Sequence, residues 1–317
     1  MPATLDPNLI VYFEGDFRPL GEAKVGLLTH ALHYGTGVFE GIRGYWSPEE
    51  DELYLFRAPE HYERWKNNAR LLKMEVPLSP RELCELTGEV IARNQLRADV
   101  YIRPLVYKSA QGIGVHFGPQ SDFTIVAVPF GVYIDSSAGL KVCVTSWRRI
   151  DDNAIPARGK ICGAYVNSAL AGEEARANGF DEAIFLNENG HVAEGSASNI
   201  FIVRNAHLIT PPVTENILEG ITRATVIELA RDLWLETVER PIDRSELYMA
   251  EEIFFAGTAF EIAPVIEVDR RPIGKGVEGP ITRRLRSDYA DITRGRTARG
   301  AHWRWPSYRE ARATVGK

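Results

Sequence analysis

The 317-residue sequence predicts an α+β fold in two domains. Three observations lead there. Antiparallel hairpin signals recur along the chain and are mixed with helices, without the strict strand–helix alternation of a doubly wound parallel sheet. The length is about two domains' worth at roughly 150 residues each. Periodicity is lost after Phe130, where Gly and Ser gather in residues 131–138. The expected division is a small domain over 1–130, a connection over 131–138 and a larger domain over 139–317.

In the first domain, Ile10-Val-Tyr-Phe13 leads into turn residues, so the chain opens on a hairpin around Gly15-Asp16. Residues 39–46 and 52–56 read as strands. Residues 59–74 and 80–94 read as helices, each with a proline near its first turn, where the missing N–H has no partner to lose. Residues 100–108 and 122–128 alternate like strands. The second domain opens with a strand over 141–147, then a helix over 164–178 closed by Gly179, the residue favoured just past a helix end. Asn189-Gly190, between strands at 182–186 and 191–194, suits a type I′ hairpin turn. Residues 199–203 and 207–209 form another strand pair. A helix over 221–233, a strand-rich stretch over 253–268 and a last helix over 280–289 complete the reading.

Composition excludes several function classes. Lys+Arg number 37 against 43 Asp+Glu, a net charge of −6, whereas a dedicated nucleic-acid binder is usually basic. The 44% hydrophobic and 25% charged fractions are those of an ordinary globular protein. No apolar run approaches the ~18 residues of a membrane helix. Asp6 and Pro7 interrupt any signal-peptide pattern. Cys84, Cys143 and Cys162 share no metal spacing and form no disulfide framework, so a reducing cytoplasm is expected. Charge is uneven: residues 281–317 hold ten basic and three acidic residues, a net of +7, which leaves −13 on the rest. That tail either packs on an acidic surface or stays solvated. Lysine is scarce, 8 against 29 arginines.

Several segments carry chemistry, each with an ordinary alternative. Lys160 in Gly159-Lys160-Ile-Cys-Gly-Ala-Tyr165 has small neighbours, which leave room for a bulky group. A desolvated lysine there can act as a nucleophile, and Tyr165 can share the space; the alternative is a surface lysine beside a core tyrosine. Glu194 in Glu194-Gly-Ser-Ala-Ser-Asn199 needs a partner if buried: a pyridinium nitrogen or an arginine. Leu218-Glu-Gly-Ile221-Thr222-Arg runs into a helix whose first N–H groups make an anion site or an ordinary cap. Gly257-Thr258-Ala259 interrupts a strand. Arg64 in His61-x-x-Arg64 offers a planar donor fork for phosphate, or is simply solvated. Gly112-Ile-Gly114-Val-His-Phe-Gly118 lacks the strand–turn–helix context of a dinucleotide loop, since Pro119 and a strand follow. That speaks against a nicotinamide-dependent oxidoreductase.

The order of these segments is more specific than any member. Together with Tyr34-Gly-Thr-Gly-Val-Phe39-Glu-Gly-Ile-Arg43, they resemble the branched-chain aminotransferases, fold-type IV pyridoxal phosphate enzymes, over about residues 8–290. The resemblance implies a small α/β N-terminal domain and a larger pseudo-barrel α/β C-terminal domain. It implies pyridoxal 5'-phosphate held by Lys160 through a Schiff base, with Lys160 also shuttling the proton. Tyr165 would bond the cofactor's phenolic oxygen, Glu194 its pyridine nitrogen, and Leu218 would pack on the ring. Arg64, Ile221, Thr222 and Thr258 would bind the phosphate. Tyr34, Phe39 and Tyr133 would line an apolar side-chain pocket, Thr258 and Ala259 would hold the substrate carboxylate, and Arg43 and Arg103 would accept glutamate's second carboxylate. Metal is not expected.

The implied activity is ping-pong transamination of L-valine, L-leucine and L-isoleucine with 2-oxoglutarate, by a cytoplasmic homo-oligomer, at least a dimer, with no nucleic-acid or membrane partner. Two positions depart from the family pattern: Ser198 replaces a carboxylate, and Phe260 replaces alanine after Gly257-Thr-Ala, where it is expected to reshape the pocket. Rival readings are a D-amino-acid transaminase, an (R)-amine transaminase (prompted by Phe260), mixed specificity including (R)-amines, and an aminodeoxychorismate lyase. Arg43 in its Phe39-Glu-Gly-Ile context favours the branched-chain type. Tyr165 and the Gly257-Thr-Ala turn argue against a non-catalytic cofactor carrier.

Overall fold

A computed structural model describes residues 5–131 and 134–309 and divides into two compact units. The first gathers the chain up to Gly131, Lys160–Gly163 and the chain from Ile292 onward; the second takes the remainder. These units cut the chain differently from the sequence boundaries, which assigned 139–317 to one domain.

In the first unit, eight strands form an antiparallel sheet in the order Arg304–Pro306, Glu52–Phe56, Ile42–Ser47, Val100–Tyr107, Asp122–Pro129, Ile10–Phe13, Asp16–Pro19. Gly37–Phe39 also pairs with Val100–Tyr107. Positive φ at Glu14 and Gly15 makes the first hairpin turn, as its right-handed strand twist requires. The expected strand over 39–46 is two strands, broken at Glu40-Gly41. Gly41 must lack a Cβ, which would lie 2.0 Å from the Tyr101 hydroxyl. Helices Ala58–Leu71 and Pro80–Arg93 pack on this sheet. The second starts with a capping box: Ser79 Oγ accepts from Glu82 N–H at 3.2 Å, and Glu82 accepts from Ser79 N–H at 2.7 Å. Trp65, fully buried, donates its indole N–H to the Val38 carbonyl at 2.9 Å.

Two later segments complete this unit. Residues 160–163 run beside Gly37–Phe39: Phe39 N–H donates to Lys160 O at 3.1 Å, Gly163 N–H to Gly35 O at 3.1 Å, and Val38 bridges Ile161. Gly35 takes φ +65°, and a Cβ on it would sit 2.7 Å from the Gly163 Cα, so glycine is required. The basic tail is packed as far as it is described. Arg304–Pro306 pairs with Glu52–Phe56, Arg57 stacks on Trp303 at 5.0 Å, and Arg294 pairs with Asp99 at 2.8 Å. The buried Glu52 carboxylate accepts from the Tyr308 and Arg309 N–H groups at 2.7 and 3.0 Å.

The second unit holds a nine-stranded mixed sheet: Val192–Gly195, Glu182–Leu186, Leu140–Arg148, Glu261–Val268, Glu252–Gly257, Asn199–Arg204, His207–Thr210 and Thr237–Glu239, with Arg271–Pro272 added to Glu261–Val268. Leu140–Arg148 is parallel to both neighbours. Val192–Gly195 and Asn199–Arg204 are first and sixth on this path, yet only three residues join them and Gly195 N–H reaches Ser198 O at 2.7 Å. The sheet therefore curls back on itself, giving the pseudo-barrel. Its interior is a cluster of Ile184, Ile200, Ile202, Ile253, Phe255, Val265 and their neighbours, each burial worth about 1.5–3 kcal/mol against exposure.

The 187–191 hairpin corrects one expectation. Asn187 N–H bonds His191 O at 2.8 Å, which leaves a three-residue loop. Gly190 alone has positive φ (+84°). This is the three-residue turn with a left-handed glycine, not a two-residue type I′ turn; Asn187 Oδ1 accepts from Asn189 and His191 N–H, both at 3.0 Å, and selects the longer loop. Among the described residues, no helix is long and apolar enough to cross a membrane.

The Glu52 anchor is testable. Glu52→Ala leaves two backbone donors of the tail without their acceptor and is expected to cost about 1–3 kcal/mol in urea unfolding. An unchanged midpoint and slope would show that the tail is held by other contacts.

Candidate functional site

In the first unit, Lys160 is half-buried on the segment that runs beside Gly37–Phe39. Its Nζ lies 5.1 Å from the centroid of the Phe39 ring, and the Arg103 guanidinium lies 4.4 Å from the same ring. Arg103 is further fixed by a 3.1 Å hydrogen bond to the Tyr101 hydroxyl. Arg43 is buried, faces the Tyr45 and Phe130 rings at 5.5 and 5.4 Å, and donates to Gly131 O at 3.2 Å. A buried guanidinium between aromatic faces keeps part of its electrostatic stabilisation without water.

Arg64 lies one turn into helix Ala58–Leu71, and its geometry is set by Glu40. The fully buried Glu40 carboxylate accepts from Arg64 Nε at 2.7 Å and Nη2 at 2.8 Å, and faces His61 Nδ1 at 2.9 Å. A carboxylate only accepts, so the proton of that bond sits on His61 Nδ1. Burial works to raise the Glu40 pKa, but Arg64 and His61 more than offset it and hold the carboxyl well below its usual range. Burial pulls His61 down, only partly opposed by Glu40. The bidentate grip uses one edge of the guanidinium and leaves the plane of the fork fixed. Tyr34 ends the short helix His30–Tyr34, and its hydroxyl accepts from Gly114 N–H at 3.0 Å.

In the second unit, Tyr165 begins helix Tyr165–Ala177. Glu194 is buried on Val192–Gly195. Arg149 Nη2 donates to its Oε1 at 2.8 Å; Asn199 Nδ2 and Leu218 N–H donate to its Oε2 at 3.0 and 3.2 Å. Arg149 is held in turn by Asn216 O at 3.1 Å, and Asn199 Nδ2 also donates to Leu218 O at 2.9 Å. Leu218 is thus pinned at both its N–H and its carbonyl. Helix Ile221–Asp232 follows, with Gly220 as an N-cap that makes no side-chain capping bond. Its first N–H groups, at Ile221 and Thr222, have no intrahelical acceptor by geometry. A Cβ on Gly220 would lie 1.9 Å from Asn199 Oδ1, so the tight approach that joins Glu194, Asn199 and the helix start requires glycine. Thr258 and Ala259 sit in the three-residue turn between Glu252–Gly257 and Glu261–Val268.

Phe39 thus faces both Lys160 and Arg103 within one unit; Glu194, Asn199 and Leu218 are in contact within the other, just before the Ile221–Asp232 helix. Tyr133 lies outside the described residues. Phe260 corrects an expectation: it is 5% exposed and stacks edge-on against Phe255 at 6.2 Å inside the apolar core. The turn sends this bulky residue inward, into the core cluster against which Ala259 also packs. Sequence reasoning missed Glu40, Arg149 and the role of Asn199. Glu40 stands between Phe39 and Gly41 and Asn199 ends the Glu194 motif, so both had a signal; Arg149, past the end of a strand, had none. The Gly112 loop is exposed and leads into a strand, without a helix for a dinucleotide.

His61 and Glu40 make acid costly. His61 stays neutral where an unfolded histidine takes a proton, so its contribution is present above about 6.5 and fades as pH falls below it. Glu40 stays ionised where an unfolded glutamate is neutralised, so its contribution fades only below about 4.5. His61→Asn is expected to flatten the loss of unfolding free energy between pH 7.5 and 5.5 and to leave the loss below pH 4.5 in place. Identical pH dependence in variant and wild type would remove His61 from this account.

Comparison with known proteins gives the family and the fold. The family model for class IV amino-transferases matches residues 37–268. A probable branched-chain-amino-acid aminotransferase of Aquifex aeolicus (strain VF5) is 50% identical over 299 residues, 94% of this chain and 96% of that protein. The branched-chain aminotransferase of Thermoproteus uzoniensis, solved with norvaline, superposes with a TM-score of 0.91 at 44% identity, over 95% of this chain and 99% of that one. The branched-chain amino acid aminotransferase of Thermobaculum terrenum, solved in its PLP-form, gives 0.89 at 40% identity, over 95% and 99%. The chain belongs to the class IV amino-transferase family, with the fold-type IV architecture that its curled mixed sheet displays.

Proposed function

We propose that this chain is a pyridoxal phosphate-dependent branched-chain-amino-acid aminotransferase, moving the amino group of L-valine, L-leucine or L-isoleucine to 2-oxoglutarate. The observation that carries the reading is Glu194: a buried carboxylate held by Arg149, Asn199 and Leu218 N–H, next to a helix start capped only by glycine. That donor set fits the cofactor. A buried anion suits a protonated pyridine nitrogen, and free N–H groups at a helix start suit a phosphate. Gly220 lets the Asn199 amide lie against the helix start, where a Cβ would meet Asn199 Oδ1 at 1.9 Å.

In this reading Glu194 keeps the proton on the ring nitrogen, and Tyr165 donates to the phenolic oxygen. Leu218, pinned by Asn199 and Glu194, packs on the ring. Ile221 and Thr222 N–H, Thr258 and Arg64 bind the phosphate, and Glu40 orients Arg64. Bound pyridoxal phosphate supplies an electron sink for the carbanion at the substrate α-carbon. Lys160 would hold the cofactor, and its amine, once free, would take the proton from the substrate α-carbon as general base and deliver it as acid at the other end of the 1,3-proton shift. Phe39 and Tyr34 wall the aliphatic side chain, with Tyr133 assigned the same task. Thr258 and Ala259 N–H hold the α-carboxylate, and Arg43 and Arg103 receive glutamate's second carboxylate. One pocket then takes both an aliphatic chain and a carboxylate, because its walls are aromatic and its cations lie beside the rings. Phe260, inside the core, gives no support to the (R)-amine alternative.

The proposal includes a homodimer. Leu27, Leu32, Ile113 and Val115 of the first unit are 79, 61, 87 and 73% exposed, and exposed apolar groups of this kind mark protein contacts. A second copy of the chain is the occupant proposed. A reducing cytoplasm is supported by three free cysteines.

Purified protein is expected to show the visible absorbance of bound cofactor, and borohydride treatment should add the reduced cofactor's mass to the peptide containing Lys160. Lys160→Ala should lose transamination of L-leucine by at least about 10³-fold. Full turnover in that variant, or label on another lysine, refutes the assignment. Light scattering should give twice the chain mass; a monomer with full activity contradicts the dimer.

A further inference from the structure

Lys108 is the most deeply buried lysine among the described residues, at 1% exposure. Lysine is almost never fully buried unless paired, and among the described residues no carboxylate pairs with this one. Burial, with Lys73 nearby, draws its pKa below the usual value. Its ammonium instead donates to two backbone carbonyls, Lys73 O at 2.9 Å and Gly118 O at 2.8 Å, and lies 6.0 Å from the Phe117 ring. A residue this costly to bury is fixing something.

What it fixes is the loop between strands Val100–Tyr107 and Asp122–Pro129, whose ladder closes at Tyr107 and Asp122. Loops of this length inside a compact unit are usually functional. At its start, Lys108 N–H donates to Thr36 O at 3.1 Å, and Ala31 N–H donates to Lys108 O at 3.1 Å. At its far end Lys108 Nζ holds Gly118 O. In the middle, Gly114 N–H donates to the Tyr34 hydroxyl at 3.0 Å. Phe117 and Tyr34 both lie against His30, at 6.5 and 4.6 Å between centroids, and His30 Nδ1 bonds Thr36 Oγ1 at 2.7 Å. Gly112 and Gly114 have open space where a Cβ would stand, and Gly114 takes φ +145°. Gln111 Nε2 donates to Thr29 Oγ1 at 2.7 Å and Gly112 N–H to Leu28 O at 3.0 Å, so the loop's first half is tied to the segment before Tyr34, and Lys108 Nζ holds its second half at Gly118.

We propose that Lys108 is a positioning residue for substrate: its Nζ ties Gly118 to the Lys73 turn, which sets the loop and through Gly114 holds Tyr34 in place. This rests on the reading of Tyr34 as a wall of the substrate pocket. A hydrocarbon of the same length would leave both carbonyls without their donor, release the Gly118 end and let the Tyr34 ring swing. Lys108 touches neither cofactor nor reacting atoms in this account. The loss therefore falls on binding.

The test compares wild-type holoenzyme with Lys108→Met by two readouts. Hydrogen exchange at the amides of 111–118 should speed by about tenfold or more as the loop opens. KM for L-leucine should rise by about tenfold with kcat within about twofold and cofactor absorbance unchanged. Where Lys108→Met does not fold, Lys108→Gln, whose amide N–H2 falls one bond short, carries the same readouts. Unchanged exchange overturns the anchoring. Faster exchange with unchanged KM overturns the positioning role. A wild type that turns over no amino acid refutes the proposed function instead and leaves the exchange result to decide the anchor.

Discussion

An ionised carboxylate can be buried only when it is paired, and each unit of this molecule is organised around one that is. Glu40 has no exposure and is gripped by two nitrogens of Arg64 and one of His61. Glu194 is nearly as deep and takes one cation, one amide and one backbone N–H. Both force their surroundings. Glu40 breaks a strand in two and fixes the direction of a guanidinium; Glu194 draws together a strand, the 218 segment and the start of a helix. Arg64 and Leu218 take their places directly from these two anchors.

The anchors explain why the glycines beside them cannot vary. Gly41 follows Glu40 and Gly220 precedes the Ile221–Asp232 helix, and a Cβ at either would sit about 2 Å from a neighbouring side-chain oxygen. The motif glycines are not flexible joints here. They are places where a neighbouring side chain comes close to the backbone: Tyr101 at Gly41, and Asn199, a donor to Glu194, at Gly220.

Charge follows a parallel logic. As a run of arginines, the positive tail is ambiguous. In three dimensions it is part of a sheet, with Arg294 on Asp99, Arg57 on Trp303, and Glu52 accepting two of its N–H groups. Arg283 and Arg286 pair with Glu278, and Arg284 with Asp288, so with Arg294 these arginines find acidic partners in both units. Lys108 shows the converse: among the described residues no carboxylate pairs with it, and its charge is kept by two carbonyls that fix the far end of its loop.

The sequence by itself determined most elements, because their signals are local. Hydrophobic period, prolines at helix starts and turn residues located the long helices and most strands, though not the short helices His30–Tyr34 and Arg244–Leu247 or the strands Thr237–Glu239, Arg271–Pro272 and Arg304–Pro306. The order of the motifs around Lys160, Glu194 and Thr222 carried the resemblance to the family. It also named the residues on either side of Glu40 and the ends of the Glu194 motif. What it left open depends on contacts distant in sequence. Arg149 meets Glu194 across 45 residues and Arg64 meets Glu40 across 24; no local pattern announces either. Residues 160–163 join the first unit through backbone hydrogen bonds to Gly35 and Phe39, and the tail from 292 through Glu52 and Asp99, partners that lie far away in sequence. Phe260 reads as a pocket residue by its neighbours in sequence and is a core residue by the direction of its turn. Local propensity chooses the elements; only tertiary packing decides which side chains are buried, and therefore which charges must find each other.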